Sequence, residues 1–103
     1  MAVIDDFRGI ITVFVEFKID PEKSELVIAQ LKEFYAKHAK GSTGLVSVNY
    51  HLSFDSSLIF NYAQWKTEDD FERFITDKSN LAFMKSIDCL ESKFTKTKVV
   101  FTT

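Results

Sequence analysis

Residues that interrupt regular structure or form cross-links are scarce in this chain. It has three glycines, one proline and one cysteine in 103 residues. That composition excludes a disulfide-stabilised scaffold and a low-complexity chain, and a lone Cys89 is typical of a reducing compartment. No apolar run approaches the roughly 20 residues that span a bilayer, and the first residues lack the basic and apolar regions of a secretory signal. We expect a cytoplasmic protein.

Strong charge of either sign is also absent. Thirteen Lys and Arg oppose 15 Asp and Glu, for a net charge of −2. With no basic block, the sequence gives little support for binding nucleic acid or an anionic membrane. His38, His51 and Cys89 lie far apart, and no pair has metal-ligand spacing. Glycine-rich nucleotide motifs and the serine-hydrolase motif are missing as well. We therefore predict no metal and no nucleotide cofactor.

Apolar and aromatic residues are abundant: 46% of the chain is hydrophobic, and it has 11 phenylalanines. After a short leader, residues 1–9, the pattern predicts a single domain, residues 10–103. Alternating and helical periodicities predict its elements in this order: strand 10–19, helix from Asp20-Pro21 to about Lys40, strand 45–53, strand 58–65, helical segments 67–76 and 80–90, and strand 92–101.

This β-α-β-β-α-β order predicts a ferredoxin-like α+β fold, in which helices cover one face of a four-stranded antiparallel sheet. Lysines in the last strand suggest that it lies at an edge of the sheet or has a partly solvated face. Phe14, Phe60 and Tyr62 are expected on the uncovered face, where they would form an exposed aromatic patch. We therefore predict a homodimer that packs through this open face.

Strands 45–53 and 58–65 are separated by Phe54-Asp55-Ser56-Ser57, which has the composition of a turn. A hairpin centred on Asp55 and Ser56 pairs Tyr50 with Asn61, Val48 with Ala63 and Val46 with Trp65. This register places the apolar side chains of the second strand on the same face as Asn61.

Asn61 and Trp65 are the most informative pair of residues. Side chains alternate along a strand, so both point to one face of a largely apolar strand. A buried amide or indole N–H without a partner costs about 1–3 kcal/mol. One interpretation is structural: Asn61 bonds a neighbouring backbone group and Trp65 is a core aromatic. The other is that the pair lines a ligand pocket. Thr67 follows as a helix N-cap, with three carboxylates in the first turn.

The run N-Y-A-Q-W at Asn61 to Trp65, followed by K-T-E-D-D-F, resembles the strand-to-helix signature of the antibiotic biosynthesis monooxygenase family. The resemblance implies a dimeric α+β barrel. In the cofactor-independent, quinone-forming members of that family, an Asn and a Trp at this spacing bind oxygen atoms of a polycyclic phenol. Asn61 and Trp65 match those positions. No flavin or metal is implied, because the substrate supplies the electrons.

The resemblance is incomplete at two positions. This chain has Phe71 and Lys85 where such members can carry a tyrosine and an arginine, so no acid or anion-stabilising role is assigned there. The haem-degrading branch of the family needs an Asn on the first strand and a His on the second helix. Residues 10–19 contain no Asn and residues 67–90 contain no His, which disfavours haem degradation.

The resulting hypothesis is a homodimeric, cofactor-independent monooxygenase that acts with dioxygen on an aromatic, quinol-type, polyketide-like molecule. Asn61 and Trp65 are the predicted catalytic residues. Two alternatives stay open: a non-catalytic dimer that binds a hydrophobic metabolite, and an isomerase or cyclase that acts on an enolisable substrate. Six aromatic residues are the predicted substrate-binding wall: Phe34, Tyr35, Tyr50, Phe71, Phe74 and Phe83.

Overall fold

Four antiparallel strands form the sheet in a computed structural model that describes residues 9–103. Of the predicted leader, residues 1–9, all but Gly9 lies outside the described residues. The strand order is β2-β3-β1-β4, which confirms the ferredoxin-like connectivity. The strands are β1 Ile11–Lys18, β2 Leu45–Leu52, β3 Leu58–Trp65 and β4 Glu91–Lys98.

The first helical region begins with a single 3-10 turn, Pro21–Lys23, where Asp20 Oδ1 accepts a hydrogen bond of 3.0 Å from the Glu22 backbone N–H. Helix α1 then spans Ser24–Phe34. The sequence predicts one uniform helix to about Lys40, but the last five residues, Tyr35–Ala39, wind as a wider π-helical turn. That turn closes with a 2.7 Å bond from the Lys40 backbone N–H to the Tyr35 carbonyl.

The second helical layer consists of α2, Glu68–Thr76, and α3, Lys78–Ser86. Thr67 caps α2, as predicted, by accepting a 3.1 Å hydrogen bond from the Asp70 backbone N–H. The sequence predicts a break of three residues, 77–79, between the two helical segments, but in the structure only Asp77 separates α2 from α3. Asp77 also caps α3, because its side chain accepts a 3.0 Å hydrogen bond from the Asn80 backbone N–H. The predicted helix to residue 90 ends early, because Ile87 turns to an extended backbone and is buried in the core.

Two of the three predicted β2–β3 pairs are confirmed, since Tyr50 lies opposite Asn61 and Val48 opposite Ala63. The third pair is wrong. An irregularity between Leu45 and Ser47 leaves Val46 without a partner, so Leu45 lies opposite Trp65. A β-bulge of this kind inserts one extra residue into a strand and shifts the pairing beyond it.

The two faces of the sheet differ in cover. Helices pack on the face that carries Val13, Ile59 and Trp65, all of which are buried. On the other face, 49% of Phe14 and 39% of Phe60 are exposed in the single chain. β4 is an edge strand, which is one of the two alternatives that its lysines suggested. Within residues 9–103, no helix is long and apolar enough to cross a membrane.

The covered face contains two groups of buried side chains. The α1 cluster packs beneath α1 and consists of Phe17, Ile19, Val27, Leu31, Ile59 and Ile87. The α2 cluster packs beneath α2 and consists of Val13, Ala63, Trp65 and Phe71, with Phe74 and Ile75 half-buried against it. Trp65, one of the two β3 residues that the sequence singled out, belongs to the α2 cluster.

Candidate functional site

Asn61 and Trp65 line one cavity of about 80 Å³ between the sheet and the helices. β3 projects both side chains onto the covered face, where Asn61 is 6% exposed and Trp65 is 2% exposed. Most of the remaining wall is apolar. It includes four of the six aromatic residues predicted for it: Phe34, Tyr50, Phe71 and Phe74.

The Asn61 amide has one half fixed and one half free. Its Oδ1 accepts a 2.9 Å hydrogen bond from the Asn49 backbone N–H on β2. The structural interpretation is therefore correct for the oxygen atom. Within the described part of the chain the Nδ2 group has no hydrogen-bond acceptor. Because the backbone bond fixes the amide orientation, Nδ2 is a pre-positioned donor at the cavity wall.

The Trp65 indole N–H has no acceptor either. Nε1 is buried and has no hydrogen-bond partner among residues 9–103. Leaving such a donor unsatisfied costs about 1–3 kcal/mol. The ring itself is held firmly, with its centroid 5.1 Å from that of Phe74 and 5.8 Å from that of Phe71. The cavity thus contains a second fixed donor that a ligand oxygen would satisfy.

Tyr50 is the only ionisable side chain among the described residues that line this cavity. Its backbone pairs with that of Asn61 across the β2–β3 ladder, so the two side chains are neighbours on one face. Although Tyr50 is 38% exposed in the single chain, partial burial of its phenol raises the pKa to about 12. The phenol therefore keeps its proton at neutral pH, where it can donate a hydrogen bond but cannot act as a base.

Two residues predicted for the wall lie elsewhere. Tyr35 lines a neighbouring groove of about 380 Å³ between α1 and β2. The placement of Phe83 is corrected: it lines neither space, because its ring packs against Phe34, with centroids 5.6 Å apart, and supports the wall from behind. The cavity and the groove are adjacent, since Leu31, Val48 and Tyr50 line both.

His38 lies next to the site, which the sequence did not indicate. His38 lies in the π-helical turn at the end of the first helical region, and its half-buried ring stacks on Phe34, with centroids 5.6 Å apart. His38 Nδ1 is 3.1 Å from Asn80 Oδ1, and Asn80 Nδ2 donates to the Phe74 carbonyl at 2.9 Å. Because Asn80 presents its oxygen, Nδ1 carries the hydrogen. The spacing of Phe34 and His38 by four residues was the available signal.

No metal site is evident in the part of the chain that the structure describes, where no three His, Cys, Asp or Glu side chains come together. Cys89 packs against the α1 cluster, and burial raises the pKa of its thiol. A raised pKa disfavours the reactive thiolate. The chemistry available in the cavity is therefore hydrogen-bond donation from Asn61, Trp65 and Tyr50 in apolar surroundings.

Solved structures of similar fold include several oxygenases. One is a monooxygenase from the ActVA-Orf6 gene of Streptomyces coelicolor in complex with nanaomycin D. It has a TM-score of 0.82 at 21% identity, and the match covers 99% of this chain and 97% of that chain. Another is a variant of SnoaB, a cofactor-independent oxygenase from Streptomyces nogalater. Its TM-score is 0.69 at 19% identity, over 91% of this chain and 96% of that one. At these identities the likeness establishes the fold.

Sequence similarity establishes the family. The model of the antibiotic biosynthesis monooxygenase family matches residues 10–85. One relative, the tetracenomycin-F1 monooxygenase of Streptomyces glaucescens, is 32% identical over 77 residues, which cover 75% of this chain and 69% of the relative. The fold and the cavity are those of a small ferredoxin-like protein whose internal cavity is lined by hydrogen-bond donors. The chain belongs to the antibiotic biosynthesis monooxygenase family, and at the level of that family its relatives are monooxygenases.

Proposed function

We propose that this protein is a cofactor-independent monooxygenase that converts a polycyclic phenol into a quinone. The observation that carries the proposal is the buried Trp65 N–H, which has no acceptor within residues 9–103 and shares its cavity with the free Asn61 amide N–H. Two fixed donors in an apolar wall suit a phenolate or enolate oxygen, whose charge they stabilise without reorganising. The relative from S. glaucescens, which is named as a monooxygenase, supports the same reaction class.

In the proposed reaction the substrate is both reductant and oxygen acceptor. An anthrone-type phenol loses two hydrogens from the ring carbon that is oxidised, and that carbon gains one oxygen atom as a carbonyl. The second oxygen atom of dioxygen leaves as water with the two hydrogens. Donors aimed at the substrate oxygen stabilise the electron-rich anion that reacts with dioxygen. Asn61 and Trp65 are the proposed catalytic residues.

Substrate ionisation is the step to which the cavity contributes least. Tyr50 is its only ionisable residue in the described chain, and the raised pKa keeps that phenol protonated. We infer that Tyr50 donates a third hydrogen bond, and that the substrate loses its proton to solvent. Anionic substrate then binds preferentially, because three donors complement its charge.

The lack of a base at the cavity also favours a second candidate, a non-catalytic dimer that binds a hydrophobic phenol. An isomerase or cyclase moves a proton between two substrate atoms and normally uses a positioned base for that step. No described wall residue offers one at neutral pH. Oxygen consumption separates the monooxygenase from the binding protein.

We also propose that the protein is a homodimer through the open face of its sheet. Phe14 and Phe60 stand exposed there on neighbouring strands, beside the half-buried Tyr62. Exposed aromatic patches mark protein interfaces, and sheet-to-sheet packing would bury this one. Sedimentation at micromolar concentration should give twice the chain mass, and Phe60→Glu should give the single-chain mass.

The test of the proposed reaction is oxygen uptake by the purified protein with anthrones and simple hydroquinones, after treatment with a chelator and removal of flavin. Uptake above the rate of spontaneous oxidation should appear with at least one anthrone. Trp65→Phe should lose most of this rate. The control variant Tyr62→Phe, which removes a hydroxyl group from a side chain on the open face, should keep it. Uptake that survives intact in Trp65→Phe would contradict the proposed site. Quenching of Trp65 fluorescence without any uptake would establish the binding protein instead.

A further inference from the structure

The cavity that holds Asn61 and Trp65 is too small to enclose a polycyclic ligand by itself. Sites for ligands of drug size measure roughly 300–1,000 Å³, whereas this cavity measures about 80 Å³. A ligand whose oxygen meets the two donors must therefore extend beyond it. The adjacent groove between α1 and β2 measures about 380 Å³, and three residues line both spaces: Leu31, Val48 and Tyr50.

The groove is apolar along most of its length. Ile28, Leu52 and Ile59 contribute to its walls, together with the residues that it shares with the cavity. Among residues 9–103, Lys32 is the only lysine, arginine or carboxylate that lines it. His51 also lines the groove, but its ring stacks on Tyr62, on the opposite face of the sheet, with centroids 5.5 Å apart. A single cation thus accompanies an otherwise apolar groove.

The Lys32 ammonium is also unpaired. No ion pair or hydrogen bond joins it to any residue in the range 9–103. The positions three and four residues away on the same helix are Ile28, Ala29, Tyr35 and Ala36, none of which is acidic. Lys37, one turn further on, behaves differently because it pairs with Glu33 at 2.7 Å. The charge of Lys32 is therefore available to a ligand.

From this arrangement we propose that the groove is the second half of the substrate site and that Lys32 binds a carboxylate on the substrate. The ligand class is a polycyclic phenol that bears an acidic group at the end remote from the reacting oxygen. Its phenolic end meets Asn61 and Trp65, its ring system passes Tyr50 into the groove, and its carboxylate meets Lys32. Charge complementarity of this kind sets orientation and specificity more than total affinity.

This inference rests on the proposed function for the phenolic end of the ligand, but its test does not require turnover. The probes are rhein, a dihydroxyanthraquinone carboxylic acid, and its methyl ester. Both are already quinones, so neither is expected to consume oxygen. Binding is followed by quenching of Trp65, the only tryptophan. The measured quantity is the ratio of the two affinities, acid to ester, for each protein.

For the wild-type protein we expect both probes to bind. In Lys32→Met the ratio of acid to ester affinity should fall about threefold to fivefold, the scale of a partly exposed ion pair. Lys37→Met loses the same charge from the same helical region but lies outside the groove, so its ratio should match the wild type. Raising the salt concentration should reduce the ratio for wild type and leave it unchanged for Lys32→Met.

Three outcomes would overturn the inference: failure of both probes to bind, an unchanged ratio in Lys32→Met, or an equal fall in Lys37→Met. Circular dichroism of both variants checks that they fold. Oxygen uptake from anthrones reports on the proposed function separately, so a negative binding result with intact uptake would reject Lys32 and the groove alone.

Discussion

The α1 cluster and the α2 cluster lie side by side on one sheet, but they differ in the polar groups that they contain. In the α1 cluster the buried residues are aliphatic apart from Phe17, and among residues 9–103 none of the buried polar atoms without a hydrogen-bond partner belongs to this cluster. The α2 cluster contains the buried indole N–H of Trp65, which lacks a partner in the described chain and lies at the cavity wall. Phe17, Leu31 and Ile87 of the α1 cluster also line the cavity, but their side chains contribute no hydrogen-bond donor to it. Dense apolar packing stabilises a fold, whereas an unsatisfied donor beside a void lowers its stability. The difference indicates where a ligand is expected.

The largest effect expected from this comparison is on stability, through the α1 cluster. Ile19 is 2% exposed and lines neither the cavity nor the groove. Ile19→Ala removes buried methyl groups and leaves a void, so the free energy of unfolding should fall by about 2–5 kcal/mol. Urea titration followed by circular dichroism measures the loss. Below the unfolding transition, turnover per folded molecule should stay at the wild-type level. A loss of turnover in the folded variant would contradict the assignment of a purely structural role to the α1 cluster.

The next effect is on turnover, through Asn61. Asn61→Asp keeps an oxygen that can accept the bond from the Asn49 backbone N–H, but it removes the Nδ2 donor. Turnover should fall by about 10²-fold, the scale of a lost oxyanion donor, while the fold is retained. Steady-state oxygen uptake measures the change. Asn61→Ala removes both halves of the amide and should also lose stability, by about 1–3 kcal/mol. Equal turnover in wild type and Asn61→Asp would assign Asn61 a purely structural role.

A smaller effect is expected on stability from Trp65→Phe. The change loses some packing against Phe71 and Phe74, but it also removes the unsatisfied buried N–H. Because these contributions oppose each other, the free energy of unfolding should change by less than about 1.5 kcal/mol. Urea titration by circular dichroism measures it. A loss as large as that of Ile19→Ala would show that the two clusters contribute alike to stability.

The smallest effect is expected in the β2–β3 turn, remote from both clusters. Hydrogen bonds from the Ser57 side chain and backbone, and from Ser53, lower the pKa of Asp55 from 3.8 to about 2. A lowered pKa contributes stability above the unfolded value and loses it as the pH falls through the folded value. Asp55→Asn should therefore be slightly less stable than wild type near neutral pH, and the two should converge near pH 2. A difference between the urea midpoints of the two proteins that persists near pH 2 would contradict the assignment of the effect to the Asp55 carboxylate.

Much of the fold followed from periodicity. The β3 strand, Leu58–Trp65, has the predicted bounds, because an uninterrupted apolar and aromatic run between turn residues leaves little choice. The π-helical turn Tyr35–Ala39 was missed, since over a single turn its side-chain spacing is hardly distinguishable from that of an α-helix. The bulge at Val46 was also missed. Leu45 and Val46 are both apolar, so hydrophobicity alone does not identify the residue that faces Trp65.

The site was only partly accessible from sequence. Strand alternation placed Asn61 and Trp65 on one face, and the hairpin register brought Tyr50 beside them. Which half of the Asn61 amide is free depends on the Asn49 backbone N–H, a contact that side-chain periodicity does not encode. The size of the cavity and its division from the groove depend on packing across three elements. Lys32 gave no sequence signal, because an exposed lysine on a helix is ordinary.

The most direct test of the proposed reaction is the source of the oxygen in the product. An anthrone whose oxidation by the protein consumes oxygen is incubated with 18O-labelled dioxygen in ordinary water. Mass spectrometry then gives the mass of the quinone product, with a correction for spontaneous oxidation. We predict one heavy oxygen atom per quinone formed, at a rate that Asn61→Asp lowers about 10²-fold. A quinone whose new oxygen comes from water, or a labelled product formed equally fast by Asn61→Asp, would contradict it.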